Sequence, residues 1–203
     1  MTVQAPVGSA LRAATIDDTP RLTQALAAAF FDDPVLGWLM PDERSRPRRL
    51  RKFFELDLRQ MAFARGSVWT TEERNAACLV MPPGAWQLPP LIALAHTGGF
   101  ARAFGRRLST ATLLQALMEL RHPRAPHYYV LVVGVVPELQ GQGLGSALMR
   151  PTLDHCDAVG LPAYLEASSE RSAALYERLG FKVTRELRLG SSPPLRLMTR
   201  PPG

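Results

Sequence analysis

A glycine-rich segment in the second half of the chain has the composition and position of a phosphate-binding site. The segment Gln140–Ser146 reads QGQGLGS and lies between a strongly apolar run and a helical pattern. Glycines let the backbone approach a ligand closely, and the first turn of a helix offers unpaired N–H groups and the positive end of the helix dipole. We therefore predict that phosphate or pyrophosphate binds here, mainly through backbone N–H groups.

Two common nucleotide-binding motifs do not fit this segment. A Walker loop needs a lysine beside its Ser or Thr, and the segment contains none. A dinucleotide fingerprint that starts at Gly141 needs Gly or Ala where Ser146 stands, and one that starts at Gly143 needs it where Leu148 stands. The sequence therefore indicates a phosphate site of another type.

The elements around the segment predict a partly parallel sheet. Residues 128–136 (YYVLVVGVV) are almost continuously apolar, which is typical of a strand buried on both faces. A helix is expected at 143–159, kinked at Pro151 and ended by Gly160. Strand and helix then alternate, which favours an α/β arrangement. The other elements expected here are strands at 162–167, 181–189 and 195–199 and a helix at 170–179.

The first half of the chain predicts more helix than strand. Asp17, Asp18 and Pro20 form a helix-start signal before an apolar face at helical spacing. Two apolar runs around a polar turn predict a pair of strands. The expected elements are strands at 11–15, 67–71 and 76–81, helices at 19–31, 35–40 and 44–63, and helical pieces over 91–121 that are interrupted at 97–99.

Composition excludes several classes of protein. The 203 residues are 46% hydrophobic and 21% charged, which predicts an ordinary globular chain rather than a disordered one. No apolar run is long enough for a membrane helix and no secretory signal is visible, so a cytoplasmic location is expected. Only two cysteines are present, and neither they nor the histidines have metal-ligand spacing, so no metal site is expected.

The basic balance leaves several partners open on its own. The net charge is +6, and 22 of the 24 basic side chains are arginines. Nucleic acid, an anionic membrane or a phosphate-bearing small molecule could each match such a surface, and so could plain solvation. Because the phosphate site is built from glycine backbone, we expect neither nucleic acid nor membrane as a partner.

The chain resembles the GCN5-related N-acetyltransferase (GNAT) superfamily. Val135–Leu148 is similar to its acetyl-CoA motif, whose core Gln/Arg-x-x-Gly-x-Gly/Ala is matched by Gln140, Gly143 and Gly145. A second signature, an aromatic-rich helix end, is matched by Leu175–Phe181. Further similarity to puromycin N-acetyltransferases spans most of the chain but is weak over about residues 40–120.

The resemblance implies a fold and a domain organisation. The expected class is α/β (α+β) with the GNAT fold, a central mixed, mostly antiparallel twisted sheet of about six or seven strands flanked by helices. The sheet should splay between its two central parallel strands. Residues 1–203 are expected to form a single N-acetyltransferase domain with its acetyl-CoA motif at 133–150 and a flexible segment at 1–9.

The resemblance also implies a function. It is acetyl-CoA-dependent transfer of an acetyl group to a primary amine of a small molecule, an antibiotic-like compound or a metabolite, by direct attack. The alternatives are a non-catalytic acyl-CoA-binding or regulatory module and a protein lysine or N-terminal acetyltransferase. A homodimer is compatible with the sequence.

Site residues follow from the matched motifs. Tyr176 is the expected acid for the leaving thiolate, or a core aromatic paired with Phe181. Glu166 is the candidate base, directly or through water, or a structural carboxylate. Aromatic and acidic residues of the first helix–loop–helix suit a cationic acceptor or simply pack in the core. The expected cofactor-binding residues are Val135, Val136, Gln140, Gly141, Gln142, Gly143, Leu144, Gly145, Ser146, Ser172 (where members of the family often have asparagine) and Tyr176, and the expected acceptor-binding residues are Phe30, Phe31, Asp33 and Trp38.

Overall fold

The computed structural model describes residues 10–87 and 98–203 of the chain. The segment 1–9, which was expected to be flexible, lies outside the described residues, and so do residues 91–97 of the predicted helical region. No helix in the described part of the chain is long and apolar enough to cross a membrane.

A seven-stranded mixed sheet forms the centre of the molecule, as predicted. The strand order is β1-β2-β3-β4-β5-β7-β6, and all neighbours are antiparallel except β4 and β5. The strands are β1 (Leu11–Ala13), β2 (Ser67–Thr71), β3 (Ala76–Met81), β4 (Tyr128–Val135), β5 (Ala163–Ala167), β6 (Lys182–Leu187) and β7 (Leu195–Arg200).

Burial along the central strands differs from the sequence-based expectation. Every residue of β3 is buried, whereas buried and half-buried residues alternate along most of β4. The prediction that β4 is covered on both faces is therefore wrong for its second half. The reason is that β5 separates from β4 there. The half-buried side chains of Val133 and Val135 therefore lack the neighbours that a paired β5 would supply.

Helices cover both faces of the sheet. The first face carries the helices of the first half of the chain, around buried residues such as Leu26, Phe54 and Leu79. The second face carries the two C-terminal helices, around Leu148 and Phe181. The helices are α1 (Thr19–Ala29), α2 (Pro34–Leu39), α3 (Arg46–Leu56), α4 (Leu108–Arg121), α5 (Leu144–Val159) and α6 (Glu170–Arg178).

Two irregularities were not expected from the sequence. The helix predicted at 44–63 continues from α3 into a π-helical segment, Asp57–Ala62. The interruption predicted at 97–99 is wrong at Gly98 and Gly99, because residues 98–104 are helical. The break falls instead in the 3-10 turn Gly105–Arg107, where Gly105 has a φ of +53° that favours glycine. Helix α5 continues through Pro151 to Val159, and Gly160 is its C-cap as predicted.

The splay of the sheet is the feature that creates a site. Strands β4 and β5 pair only at Tyr128↔Ala163 and Tyr129↔Tyr164, at the beginning of both strands. Beyond these residues β4 stays with β3 and β5 stays with β7. The two central strands therefore diverge toward their carboxyl ends, as the resemblance implied.

Candidate active site

The glycine-rich segment forms an open turn at the carboxyl end of β4. Gly141 and Gly143 have φ of +82° and +85°, in the left-handed region where side chains are strained. A Cβ atom at either position would meet nothing within 4 Å, so the space above the turn is open. The Gln140 amide ties the turn to β4 by donating to the Val135 carbonyl over 2.9 Å.

Helix α5 presents its first N–H groups to this open space. Gly143 precedes the helix, and its carbonyl accepts from Ala147 N–H over 3.0 Å. The N–H groups of the preceding residues therefore have no partner inside the helix, and no side chain caps them. The positive end of the dipole and these N–H groups form an anion-binding cradle, which fits the pyrophosphate group expected here. The residues of the cradle are Leu144, Gly145 and Ser146, with Gln142 on the turn before them.

The end of β4 leaves one backbone N–H free to face the splay. Val136 N–H donates to the Asn75 carbonyl over 3.0 Å and is therefore used by the sheet, while other contacts of Val136 to the cofactor stay a prediction. Successive N–H groups of a strand point to opposite sides. The N–H of Val135 therefore points toward the gap that β5 leaves.

Ser172 has a structural partner instead of a free hydroxyl. Its Oγ donates to the Ser169 carbonyl over 2.9 Å and accepts from Ser169 N–H over 3.2 Å, while Ser169 Oγ accepts from Ser172 N–H. These bonds form the capping box that begins α6. The hydroxyl of Ser172 is thereby occupied, and the geometry does not support it as a contact to the cofactor.

Helix α6 packs against the beginning of α5 through Leu175, the residue before Tyr176. Leu175 packs so tightly against α5 that a Cβ on Gly145 would lie 3.3 Å from it. The Tyr176 ring is buried, and its centroid lies 6.0 Å from that of Phe181. Burial, together with nearby Cys78 and Asp33, raises the pKa of Tyr176 above its ordinary value, so the hydroxyl is protonated at neutral pH.

Glu166 lies on β5 with its carboxylate almost fully buried, since only 5% of the side chain is exposed. Its Oε1 has no hydrogen-bond partner in the described structure. Burial raises the pKa of Glu166 from 4.5 to about 7, and the nearby Tyr129 and Tyr164 hydroxyls oppose the shift only in part. The carboxylate can therefore take up or release a proton near neutral pH.

Two buried histidines stand behind Glu166. His127 Nδ1 donates to the Ala125 carbonyl over 2.7 Å, so neutral His127 offers a lone pair at Nε2. His122 Nε2 must then donate to it over 2.8 Å, which leaves a lone pair on His122 Nδ1. That lone pair faces Glu166 Oε1 at 3.8 Å and gives no N–H to an ionised carboxylate. Burial, helped by His127, lowers the pKa of His122 to about 3, which keeps it neutral.

His122 and His127 border Pro123 and Pro126, and no sequence motif marks either of them as a site residue. They are 8% and 3% exposed, and His122 stacks on Trp86 with ring centroids 3.7 Å apart. Their five-residue spacing beside Pro123 and Pro126 carried no recognisable signal, because the contact to β5 depends on the tertiary fold.

A cavity of about 260 Å³ opens beside Glu166 on the first face of the sheet. Leu131 and Val132 of β4, Glu166 of β5 and Ser168 just after β5 line it, so the cavity meets the splay. Most of its wall comes from the region 40–120, whose role the sequence did not predict. The lining residues from that region include Phe53, Phe54, Asp57, Trp86, Phe100, Phe104 and Met118.

Two of the four expected acceptor residues line this cavity. Phe30 does, and so does Asp33, whose carboxylate caps α2 by accepting from Val35 and Leu36 N–H over 3.0 and 2.9 Å. Phe31 and Trp38 do not line it, and their role in acceptor binding stays a prediction. The guanidinium of Arg46 lies 5.1 Å from the Phe31 ring, and that of Arg107 lies 5.8 Å from the Trp38 ring.

Comparisons with known proteins agree with the fold and the turn. Residues 99–181 match the model of the acetyltransferase (GNAT) family. An uncharacterized N-acetyltransferase of Schizosaccharomyces pombe is 29% identical over 91% of this chain and 80% of its own length. A mycothiol acetyltransferase of Paenarthrobacter aurescens is 48% identical over 30% of this chain, a stretch that is only 21% of that enzyme.

A solved structure gives the same architecture. The crystal structure described as histone acetyltransferase HPA2 and related acetyltransferase from Corynebacterium glutamicum superimposes with a TM-score of 0.69 and 27% identity, covering 97% of this chain and 98% of the other. The chain is therefore similar to the GNAT superfamily in its fold and over residues 99–181. The two relatives above are acetyltransferases by name, and the narrower similarity to puromycin N-acetyltransferases stays a prediction.

Proposed function

We propose that the enzyme transfers the acetyl group of acetyl-CoA to a primary amine of a small molecule by direct attack. The observation that carries this proposal is the splay between β4 and β5. The anion-binding turn lies at the end of β4, on one side of this splay. A cavity that contains the buried, titratable carboxylate of Glu166 lies beside β5, on the other side. A thioester carbonyl held in the gap would lie between the two.

Binding of acetyl-CoA rests on backbone groups. The N–H groups of Leu144, Gly145 and Ser146 hold the pyrophosphate at the beginning of α5, and the left-handed Gly141 and Gly143 let it approach. Acetyl-CoA supplies an activated acetyl group as a thioester. The N–H of Val135 stabilises the negative charge that develops on the carbonyl oxygen as the amine adds, since preorganised donors stabilise such charge strongly.

Glu166 is the proposed base. Most amines arrive as ammonium ions and must lose a proton before they can attack. The ammonium N–H gives its proton to the ionised Glu166 carboxylate, and the carboxyl group then holds it facing the lone pair of His122 Nδ1. Because burial raises the pKa of Glu166 to about 7, the group is a stronger base than an exposed glutamate.

Tyr176 is the proposed donor to the departing sulfur. Its raised pKa keeps the hydroxyl protonated, and this hydroxyl makes no hydrogen bond within the described residues. It is therefore free to donate to the thiolate that leaves when the C–S bond breaks. The cavity of about 260 Å³ suits a small acceptor rather than a folded protein surface.

The test is an acceptor screen with the full chain, acetyl-CoA and a panel of primary amines, read out by release of free thiol. Acetyl-CoA-dependent turnover of at least one small amine, with the acetylated product seen by mass spectrometry, supports the proposal. Binding of CoA without turnover of any amine would favour the non-catalytic module. Turnover of lysine-containing or N-terminal peptides alone would favour protein acetylation.

A further inference from the structure

The cavity beside Glu166 is acidic in a chain that is basic overall. Its described lining contains four carboxylates and no lysine or arginine, although the chain carries 24 of those residues and a net charge of +6. The segments 1–9 and 88–97 contain no lysine or arginine either. The surroundings of the cavity therefore favour a cation inside it.

Three of the four carboxylates have an assigned role or lie at the edge. Asp33 caps α2 and accepts from the Ser168 hydroxyl. Glu119 is solvent-exposed and accepts from the Gln115 amide over 3.1 Å. Glu166 is the proposed base. Only 5% of its side chain is exposed, and its Oε1 has no hydrogen-bond partner in the described structure. Asp57 is the fourth.

Asp57 is placed in the cavity wall by the π-helical segment that begins with it. Single π-helical turns inside helices are frequent at functional sites, because the extra residue redirects side chains. Asp57 is only 8% exposed, and its carboxylate has no hydrogen bond or ion pair within residues 10–87 and 98–203. Burial raises its pKa to about 7. A buried carboxylate without a partner is costly, and a bound cation would remove that cost.

Aromatic rings surround the same part of the cavity. Phe53 packs against Phe54, Phe100 and Phe104 with centroid distances of 5.1, 6.1 and 5.5 Å. All four line the cavity together with Asp57. Ring faces attract cations, and the rings also suit the methylene groups between two charged nitrogens. Tyr129 and Glu166 line the same cavity as Asp57, so the two carboxylates face one enclosed space.

We propose that the acceptor is an amine with a second cationic nitrogen, bound by Asp57 and the phenylalanine wall while the reacting amine faces Glu166. The proposal rests on the function proposed above and names its substrate class as diamines or guanidino-amines. Asp57 is then a specificity-determining residue in contact with the acceptor.

The experiment compares straight-chain diamines of about three to six carbons with monoamines of the same length. Wild type should show kcat/KM about 30-fold or more higher for the best diamine than for its matched monoamine, as expected for a buried charge pair. Asp57→Asn should bring that ratio close to one. Asp154→Asn, which changes an exposed aspartate on α5, is the control and should keep the wild-type ratio.

Direct binding distinguishes failure of this inference from failure of the proposed function. Diamine and monoamine are added to the CoA-bound protein and the melting temperature is followed. A larger rise with diamine, lost in Asp57→Asn, supports the subsite even if no acetylation occurs. Equal rises with the two amines in wild type, or equal kcat/KM values, overturn the inference while monoamine turnover leaves the proposed function standing. The wild-type comparison decides this even if Asp57→Asn fails to fold.

Discussion

Replacement of Glu166 by glutamine tests the electrostatics of the site, because the amide keeps the shape of the side chain but cannot ionise. Burial raises the pKa of Glu166 from 4.5 to about 7 in the folded protein, and unfolding exposes the carboxyl group again. Between these two pH values the folded state binds the proton more tightly, so the free energy of unfolding falls as the pH rises through the range. Above it, the ionised carboxylate costs the native protein about 3 kcal/mol.

Urea unfolding at about pH 4.5 and about pH 8.5 measures this cost. The stability of Glu166→Gln relative to wild type should increase by about 3 kcal/mol from the lower to the higher pH. Any constant effect of the amide cancels in that difference. The Asp57 carboxyl, whose pKa burial also raises to about 7, is present in both proteins and contributes to the pH dependence of each. Glu177→Gln, at an exposed position of α6, is the matched control and should show no such increase.

The same variant tests the role of Glu166 as base. Wild-type kcat/KM should rise with pH until Glu166 is ionised, near pH 7, and Glu166→Gln should lower kcat/KM by about 100-fold or more. A relative stability that does not change with pH would refute the buried, titrating carboxylate. Near-wild-type kcat/KM in Glu166→Gln would refute the base even if the stability result holds.

The remaining predictions concern α6. Tyr176→Phe should lower kcat by about 10- to 100-fold, because the donor to the sulfur is lost, with little change in the Kd of acetyl-CoA; unchanged kcat would remove Tyr176 from the mechanism. Ser172→Ala should cost about 1 kcal/mol of stability through the capping box and leave the Kd of CoA as in wild type. A large loss of CoA affinity in that variant would return Ser172 to the cofactor site.

Local patterns explain what the sequence could predict. The turn Gln140–Ser146 and the strand before it could be predicted from local sequence. Glycines permit positive φ in the turn, and the continuous apolar run predicts a buried strand. The capping box at Ser169 also lies within one turn. Yet the expectation for Ser172 followed the family position rather than the residue, and its hydroxyl is used by that box.

The cavity beside Glu166 depends on contacts between distant parts of the chain. Helix α3 packs against the helical segment 98–104, which brings Phe53, Asp57 and Phe100 to the same cavity. No periodic pattern in the sequence predicts that contact. Phe31 was expected at the acceptor pocket because it lies near the first helix. In the structure Phe31 does not line the cavity, and the guanidinium of the buried Arg46 lies over its ring.

The glycine turn at the beginning of α5 is the proposed binding element for CoA. Gly143 and Gly160 flank the same helix, both have left-handed φ, and a Cβ at either would meet nothing within 4 Å. Alanine should therefore cost about 1 kcal/mol of stability at each position. Calorimetric titration of CoA into Gly143→Ala and Gly160→Ala separates strain from binding. A loss of affinity of about tenfold or more in Gly143→Ala alone is the predicted result; equal affinities in the two variants would contradict the account.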